Sequence, residues 1–270
     1  MKRFLKRLRI VFLCLPYLLG CYFGWVLRYS KHPEKYPLEL RYKRARKLVL
    51  YVLKRTKTEL KVENPIDFDT EESRFLACNH VSALDPLIMV CLSKKPIRFI
   101  AKKETWKLPI AGKVLKAMGA LFLDRDDPRQ AVRIFQEVHQ SLLKKEAHVC
   151  IFPEGTRNRK PYENDVLDFH PGSFKIPQRA NLPITPLSTF GAFSLLHAND
   201  LHRNHLVQIS FLKEIDASFV KEKKTVEIAE ICRDIVQDEF AKLRQEDLEY
   251  YDKKAYKHKP IKWWKELNLE

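Results

Sequence analysis

The sequence predicts an α/β fold, with a mixed, mostly parallel sheet covered by helices on both faces and a membrane-associated two-helix segment before it. From about residue 61 onward, short apolar runs alternate with segments of helical periodicity, and the connections between them are short. With 270 residues and 45% hydrophobic composition, the chain can build one sizeable core plus an appendage.

Six strands are predicted from the apolar runs. They span residues 74–78, 97–101, 120–123, 147–152, 183–188 and about 206–212. Helical periodicity places helices at 86–93, 109–118, 128–145 and 225–244. Three regions follow: residues 1–60 with the two N-terminal helices, an α/β domain over residues 61–250, and a basic, aromatic tail over residues 251–270.

The first helix of the N-terminal segment is hydrophobic. Five cations in MKRFLKRLR precede residues 10–26, which are seventeen residues without a charge. This run is shorter than the about 20 residues that a spanning helix needs, and Pro16 interrupts it. Because cations flank both ends, we favour insertion into one leaflet, or a hairpin with the next helix, over a spanning segment. A cleaved signal peptide or a lipoprotein signal is the alternative.

The second helix begins near Pro37 and is basic and amphipathic. Eight Lys or Arg residues and no acid lie between residues 41 and 57, beside an apolar stripe. Such a helix suits an anionic bilayer surface. Alternatively, it packs against the globular part and exposes its basic face. In the tail, Trp263 and Trp264 among lysines suit a bilayer interface, although a packing role is equally open.

The formal net charge of +16 favours a polyanionic partner, such as nucleic acid, an anionic membrane surface, or a phosphorylated or CoA-like ligand. The sequence contains no aromatic RNA-binding run and no paired Cys/His finger, so nucleic acid is not expected. The six cysteines show no CxxC spacing and sit mostly in apolar runs. We interpret them as small core residues in a reducing compartment.

His80 and Asp85 form the first candidate site. FLACNHVSALDPL places His80 directly after a predicted strand, where ligands bind in open α/β sheets. Asp85 followed by Pro86 predicts the N-cap and first position of a helix. Across the intervening turn, the carboxylate can also orient the imidazole, which would leave the other ring nitrogen free to accept a hydroxyl proton. Cys78 is an alternative nucleophile, but its apolar neighbours favour burial.

The second candidate site is IFPEGTRNRK, residues 151–160, which also follows a strand. Gly155 offers backbone N–H groups, Thr156 a hydroxyl, and Arg157 a guanidinium that can hold a phosphate with two hydrogen bonds. Glu154 would position Arg157 or a substrate hydroxyl. The structural alternative is an Arg–Glu pair that stabilises a tight turn.

Further cations follow other strands. Lys102 and Lys103 come after the strand at 97–101, and Arg125 follows the strand at 120–123. Since one crevice would gather the carboxyl ends of parallel strands, these charges are expected near His80. No phosphate-binding GxxxxGK[ST] loop, GxGxxG fingerprint or GxSxG nucleophile motif is present in the sequence.

Taken in order, four blocks resemble the glycerolipid acyltransferase family, especially its 1-acylglycerol-3-phosphate (lysophosphatidic acid) acyltransferases. NHVSALDP carries the family's His-x4-Asp signature at His80 and Asp85. ALFLDR is similar to the second block, FPEGTR to the third and LPITPL to the fourth. The resemblance covers roughly residues 61–215.

The resemblance implies a function for each block. His80 would deprotonate the glycerol hydroxyl of the acceptor, and Asp85 would orient His80. Acyl-CoA or acyl carrier protein would be the donor, without an acyl-enzyme, a metal ion or another cofactor, and the product would be phosphatidic acid for phospholipid synthesis. The acceptor's phosphate would be bound by Arg125, Glu154, Gly155, Thr156 and Arg157. Asn79, Ser82 and Lys102 complete the predicted substrate-binding residues.

The resemblance also implies attachment to the cytoplasmic face of a membrane with anionic lipids, as a monotopic protein or through one hydrophobic N-terminal anchor. One departure affects the acceptor: FHPGSFK stands where the family often has FKKGA, so His170 and Pro171 replace a lysine pair. The loop 158–170 is also longer and more acidic than usual. Another lysophospholipid or glycerol-phosphate acceptor therefore remains an alternative, and so does a basic, non-catalytic membrane-surface protein.

Overall fold

The computed structural model describes residues 14–252, apart from residues 57, 69, 71, 125–126 and 198–204. For residues 128, 196 and 197 it describes the backbone alone. The charged start of the chain, Arg125 and nearly all of the predicted tail therefore lie outside the described residues. The proposed division of the chain near residues 60 and 250 stays a prediction.

The described residues form a seven-stranded sheet in the order β1-β7-β6-β2-β5-β3-β4. The pairs β2–β5, β2–β6, β3–β5, β3–β4 and β1–β7 are parallel, and β6–β7 is antiparallel. This mixed, mostly parallel sheet confirms the predicted fold class. The strands are β1 (Thr58–Glu63), β2 (Phe75–Cys78), β3 (Ile97–Lys102), β4 (Leu121–Leu123), β5 (His148–Ile151), β6 (Ile184–Phe190) and β7 (His205–Phe211).

Nine helical elements accompany the described strands. The first, α1, covers residues 14–31 and includes a π-helical segment at Tyr22–Val26. The others are α2 (Leu38–Arg55), α3 (Asp85–Leu92), α4 (Ala111–Ala117), α5 (Pro128–Leu143), α6 (Lys175–Ala180), α7 (Ser194–His197), α8 (Ala217–Glu222) and α9 (Thr225–Asp252). Short 3-10 turns lie at Pro33–Lys35, Lys103–Lys107 and Pro171–Phe174.

Helices cover both faces of the sheet. Because side chains alternate along a strand, Leu76 and Cys78 of β2 belong to one core layer and Phe75 and Ala77 to the other. Helices α1 to α4 close the first layer, and α5, α6, α8 and α9 close the second. All six cysteines are buried and unpaired, which confirms their prediction as core residues.

The N-terminal helices form the predicted hairpin. Tyr17 of α1 and Tyr51 of α2 contact each other with their ring centroids 4.1 Å apart and their planes tilted by 37°. The apolar stripe of α2 does not face outward, however: Tyr42, Leu48 and Leu53 are buried in the first core layer. The alternative prediction, a helix packed against the globular part, is therefore the one that the structure supports for this stripe. Among the described residues, no helix combines the length and apolar character needed to cross a bilayer.

Candidate active site

The candidate site lies where the parallel strands β2, β3 and β5 end. His80 follows β2, Lys102 ends β3, and the segment Phe152–Arg157 follows β5. β5 pairs with both β2 and β3, so it is the central strand of the three. The sheet thus brings the two strongest motifs of the sequence to one edge, as expected for a ligand site in an α/β fold.

His80 is held at its ring and at its backbone. Its Nδ1 lies 2.7 Å from Asp85 Oδ2, and its ring stacks on Phe152 with centroids 4.2 Å apart. Its backbone N–H donates to Glu154 Oε1, and its carbonyl accepts from the Asn158 N–H at 2.8 Å. The side chain is 17% exposed. With Nδ1–H donating to Asp85, Nε2 carries the free lone pair of a general base.

Asp85 faces the histidine loop as well as the ring. Its Oδ2 accepts from the backbone N–H groups of Val81 at 2.9 Å and Ser82 at 2.8 Å, in addition to His80. The expected N-cap role is wrong: α3 begins at Asp85 itself, and no side chain caps its first turn. The carboxylate instead fixes the turn between His80 and α3, which brings the two side chains together.

Glu154 stabilises the site through hydrogen bonds to the backbone. It is buried, and its two oxygens accept from the backbone N–H groups of His80 and, at 3.1 Å, Leu167. Burial raises the pKa of Glu154 to about 7, because desolvation outweighs those two donors, and the Asp85 carboxylate adds to the increase. The predicted contact with substrate or with Arg157 is therefore replaced by a hydrogen bond that positions the His80 backbone.

Asn79 and Ser82 also face inward, contrary to the substrate-binding role predicted for them. The Asn79 amide joins β2 to β6, since it donates to the Thr189 carbonyl at 3.0 Å and accepts from the Thr189 N–H at 2.7 Å. Ser82 Oγ accepts from the Leu84 N–H at 3.2 Å. Both residues are buried, because the loop needs partners for its polar groups once it is covered.

Arg157 remains available for an anion. It is partly buried, and no hydrogen bond or ion pair links it to another described residue. The alternative of an Arg157–Glu154 pair is thus not observed among the described residues. Gly155 has a φ of +65°, a left-handed conformation that glycine adopts easily, and Thr156 is exposed beside it.

A cavity of about 370 Å³ lies next to Phe152, the ring on which His80 stacks. Phe152 forms both its wall and the stacking partner of the imidazole. The other lining residues are mostly apolar, with Lys102, His170 and Lys175 as its cationic or titratable groups. The apolar set consists of Ile100, Ala101, Leu123, Ala131, Phe135, Ile151 and Pro153. This combination fits a ligand with an apolar part and an anionic part.

Two site residues were not predicted from the sequence. Phe152 lies inside the motif IFPEGTRNRK. The signal that could have identified it is an aromatic residue in a motif that was expected to lie near His80. Asn158 acts through its backbone N–H, and no side-chain pattern indicates such a contact. The alternative nucleophile, Cys78, is excluded by geometry, since it is fully buried and burial raises the pKa of its thiol well above 9.0.

A second and larger cavity, of about 970 Å³, opens at the other end of the strands. Its lining combines cations from α2 and from the segments before β3 and β5, including Lys43, Arg46 and Lys94, with the acids Glu39 and Glu146. No imidazole or cysteine lines it. The His80–Asp85 pair therefore makes the first cavity, and not this one, the candidate site for general base chemistry.

Comparisons with known proteins agree with the motifs. Residues 59–189 match the Acyltransferase family. A protein of Mycoplasma genitalium described as a probable 1-acyl-sn-glycerol-3-phosphate acyltransferase is 29% identical over 218 residues, which cover 76% of this chain and 78% of that protein. The 1-acyl-sn-glycerol-3-phosphate acyltransferase of Escherichia coli is 29% identical over 189 residues, covering 69% and 76% of the two chains. The predicted family resemblance is confirmed.

The fold also has a counterpart among solved structures. The crystal structure of the 1-acyl-sn-glycerophosphate (LPA) acyltransferase PlsC from Thermotoga maritima superposes with a TM-score of 0.62. The alignment covers 88% of this chain and 98% of that one at 21% identity. At this level of identity the likeness concerns the fold, which is the same mixed sheet with helices on both faces.

Proposed function

We propose that this protein transfers a fatty acyl group to the free hydroxyl of lysophosphatidic acid and produces phosphatidic acid, because residues 59–189 match the Acyltransferase family. The observation that carries the proposal is the His80–Asp85 contact next to a cavity lined by apolar side chains and by Lys102 and Lys175. The names of its relatives support the choice of acceptor.

The reaction follows from the geometry of His80. Nε2 accepts the proton of the acceptor hydroxyl as its oxygen attacks the carbonyl carbon of the thioester. The carbon–sulfur bond then breaks, and the leaving thiolate takes the proton from the imidazolium. Asp85 holds the ring in the required tautomer throughout. General base catalysis of this kind contributes about 10²–10⁴-fold to the rate.

The donor is an activated thioester, of CoA or of an acyl carrier protein, and in this proposal the reaction uses neither a metal ion nor a prosthetic group. The acyl chain would enter the apolar part of the cavity at Phe135 and Leu123. Arg157 would hold the phosphate of the acceptor, with Lys102 and the cavity's other cations contributing to the attraction. Positioning both substrates lowers the entropic part of the barrier.

The test is a panel of lysophospholipid acceptors, each offered with labelled acyl-CoA and acyl carrier protein. We expect lysophosphatidic acid to be acylated fastest. We expect His80→Ala to lower kcat by about 10²–10⁴-fold, without loss of vesicle sedimentation. His32→Ala, which removes an exposed histidine between α1 and α2, is the matched control and should retain full turnover.

A chain with His80→Ala that still turns over at the unsubstituted rate would rule out the base assignment. Faster acylation of another lysophospholipid would correct the acceptor. If the unsubstituted protein binds vesicles but acylates no acceptor, the non-catalytic alternative would be correct.

A further inference from the structure

Large apolar side chains are exposed directly beside the cavity. The segment 103–110, which we call the aromatic loop, leaves β3 at Lys102, a residue that also lines the cavity. In this loop Trp106 is 46% exposed, Leu108 50% and Ile110 65%. Phe23 of α1 is 68% exposed. Exposed apolar groups that occur together commonly mark an interaction surface.

The loop and α1 form one continuous surface. The Tyr22 hydroxyl donates to the Pro109 carbonyl at 3.2 Å, and Lys113 Nζ donates to the same hydroxyl at 2.9 Å. The Tyr22 ring in turn contacts the Phe23 ring, with centroids 5.3 Å apart. The N-terminal helix and the aromatic loop therefore present their exposed apolar residues side by side.

The loop is also rigidly supported. A Cβ at Gly112 would lie 2.4 Å from the Trp106 carbonyl oxygen, so glycine lets α4 pack directly under the loop backbone. Lys116 Nζ lies 4.6 Å from the centre of the Trp106 ring, and this ring packs edge-on against Phe122. The apolar residues are thus held outward in a fixed arrangement.

The charges around the surface match an anionic partner. Residues 102–124 contain five lysines and two acids, of which Asp124 is paired with Lys103 at 2.6 Å. Trp and long apolar side chains surrounded by lysines are the composition that settles at the boundary between lipid headgroups and acyl chains. Lysines near such a boundary gain further from anionic headgroups.

We propose that the aromatic loop, together with Phe23, inserts into the interface of an anionic bilayer and places the cavity mouth against it. The inference rests on the proposed function in one respect, because a lipid acceptor gives the cavity a reason to face the bilayer. It adds to the N-terminal hairpin a membrane contact within the α/β domain, the aromatic loop, which lies next to α1.

The test compares two triple variants in sedimentation with vesicles of phosphatidylcholine containing a minor share of phosphatidylglycerol. The first carries Trp106→Ser, Leu108→Ser and Ile110→Ser. The matched control carries Leu143→Ser, Val226→Ser and Leu248→Ser, which replace similarly exposed side chains elsewhere. We expect the loop variant to lose at least about ten-fold in partition coefficient, the change that 1.4 kcal/mol produces, and the control to bind like the unsubstituted protein.

A second measurement does not depend on a multiple variant. Brominated lipids should quench part of the tryptophan fluorescence of the unsubstituted protein, and Trp106→Phe should reduce the quenched part while leaving the contribution of Trp25, Trp263 and Trp264 unchanged. Turnover of a short-chain, water-soluble lysophosphatidic acid is measured in parallel. If no form of the protein acylates it, the proposed function fails, while the vesicle data still judge the loop.

Three results would overturn the inference: equal partition of the loop variant and the unsubstituted protein, an equal loss in the control, or no quenching at Trp106. A dimer in solution that becomes a monomer only in the loop variant would also overturn it, because the surface would then serve a second copy of the chain.

Discussion

Arg157 carries a formal charge that no described residue neutralises by an ion pair. It lies two residues after Gly155, which lines the cavity, and three residues after Glu154, which accepts from the His80 backbone N–H. A guanidinium in this position can meet a phosphate with two parallel hydrogen bonds. In the proposed reaction, the phosphate nearest to the reacting hydroxyl belongs to the acceptor. The acyl chain of the donor carries no phosphate.

Arg157→Ala should therefore raise the KM for lysophosphatidic acid more than the KM for the donor. Hydrogen bonds to charged groups contribute about 1.5–3 kcal/mol, so we expect about a 10- to 100-fold increase. Steady-state kinetics with each substrate varied in turn measures it, and Arg159→Ala, an exposed arginine two residues away, is the control. Equal increases for both substrates would give Arg157 a structural role.

Glu154 makes stability depend on pH. Its pKa rises from 4.5 to about 7 on folding. As the pH increases, the unfolded state therefore releases this proton at a lower pH than the folded state does. The corresponding stability is fully present below pH 4.5 and is lost as the pH rises through about 7. A shift of this size corresponds to about 3 kcal/mol.

Glu154→Gln should remove this dependence. We expect the free energy of unfolding of the unsubstituted protein, relative to the variant, to fall by about 3 kcal/mol between the two pKa values and to level off above the higher one. Urea denaturation over a pH series measures the difference. Glu163→Gln replaces an exposed glutamate of the same loop and should follow the unsubstituted curve. Parallel curves for Glu154→Gln would mean that the buried carboxyl does not titrate in this range.

For individual residues, the sequence predicted which side chains contact each other better than it predicted where loop side chains point. The contact of His80 with Asp85 followed from a turn between a strand and a helix. The inward orientation of Asn79, Ser82 and Glu154 did not follow, because side-chain direction in a loop depends on its backbone, which composition does not determine. Glu154 and Ser82 accept from backbone N–H groups of the histidine loop, and Asn79 bonds to the backbone of Thr189 in β6.

Among the helices, α9 forms hydrogen bonds with the long loop after β5, residues 152–170. Tyr162 donates to Asp247 Oδ2, Arg244 donates to the Asn164 carbonyl at 3.2 Å, and Val166 N–H donates to Gln237 Oε1 at 2.8 Å. Burial raises the pKa of Asp247 to about 6, and the Tyr162 hydroxyl opposes this increase. The acidic loop noted in the sequence is thus attached to the C-terminal helix.

Tyr162→Phe should loosen this attachment. Because Asp247 Oδ1 has no hydrogen-bond partner among the described residues, losing the Tyr162 donor costs about 1–3 kcal/mol. Urea denaturation and the rate of proteolytic cleavage in the loop measure the effect. Tyr36→Phe, which also removes one hydroxyl, is the control. In the double variant with Asp247→Asn, the loss from Tyr162→Phe should shrink; an undiminished loss would show that the hydroxyl acts elsewhere.

The bounds of elements with a clear apolar periodicity were predicted closely. Elements that depend on tertiary contacts were missed or predicted with the wrong bounds. Six strands and the helix Leu38–Arg55 match their predictions within a few residues. β1 was missed because its sequence, TELKVE, offers two apolar residues among charges, a pattern that suffices for an edge strand paired with β7. The helix predicted to end at 244 continues to Asp252, and Asp247 in the added part is buried and accepts from the Tyr162 hydroxyl.

For the molecule as a whole, we expect the net charge of +16 to attract the protein to an anionic membrane surface. We expect binding to anionic vesicles to weaken as NaCl rises from about 0.05 to 0.5 M, because the Debye length shrinks. Binding to pure phosphatidylcholine, where only apolar insertion contributes, should change little. Sedimentation at each salt concentration measures this. The same salt response on both lipids would show that charge does not guide the interaction.

Lys102, where β3 passes into the aromatic loop, lines the cavity. An enzyme seated by that loop would withdraw its acceptor from, and return its product to, the monolayer on which it rests. Newly made lipid would then enlarge one half of the membrane alone, creating an area imbalance that either bends the membrane or must be relieved by lipids crossing to the other side.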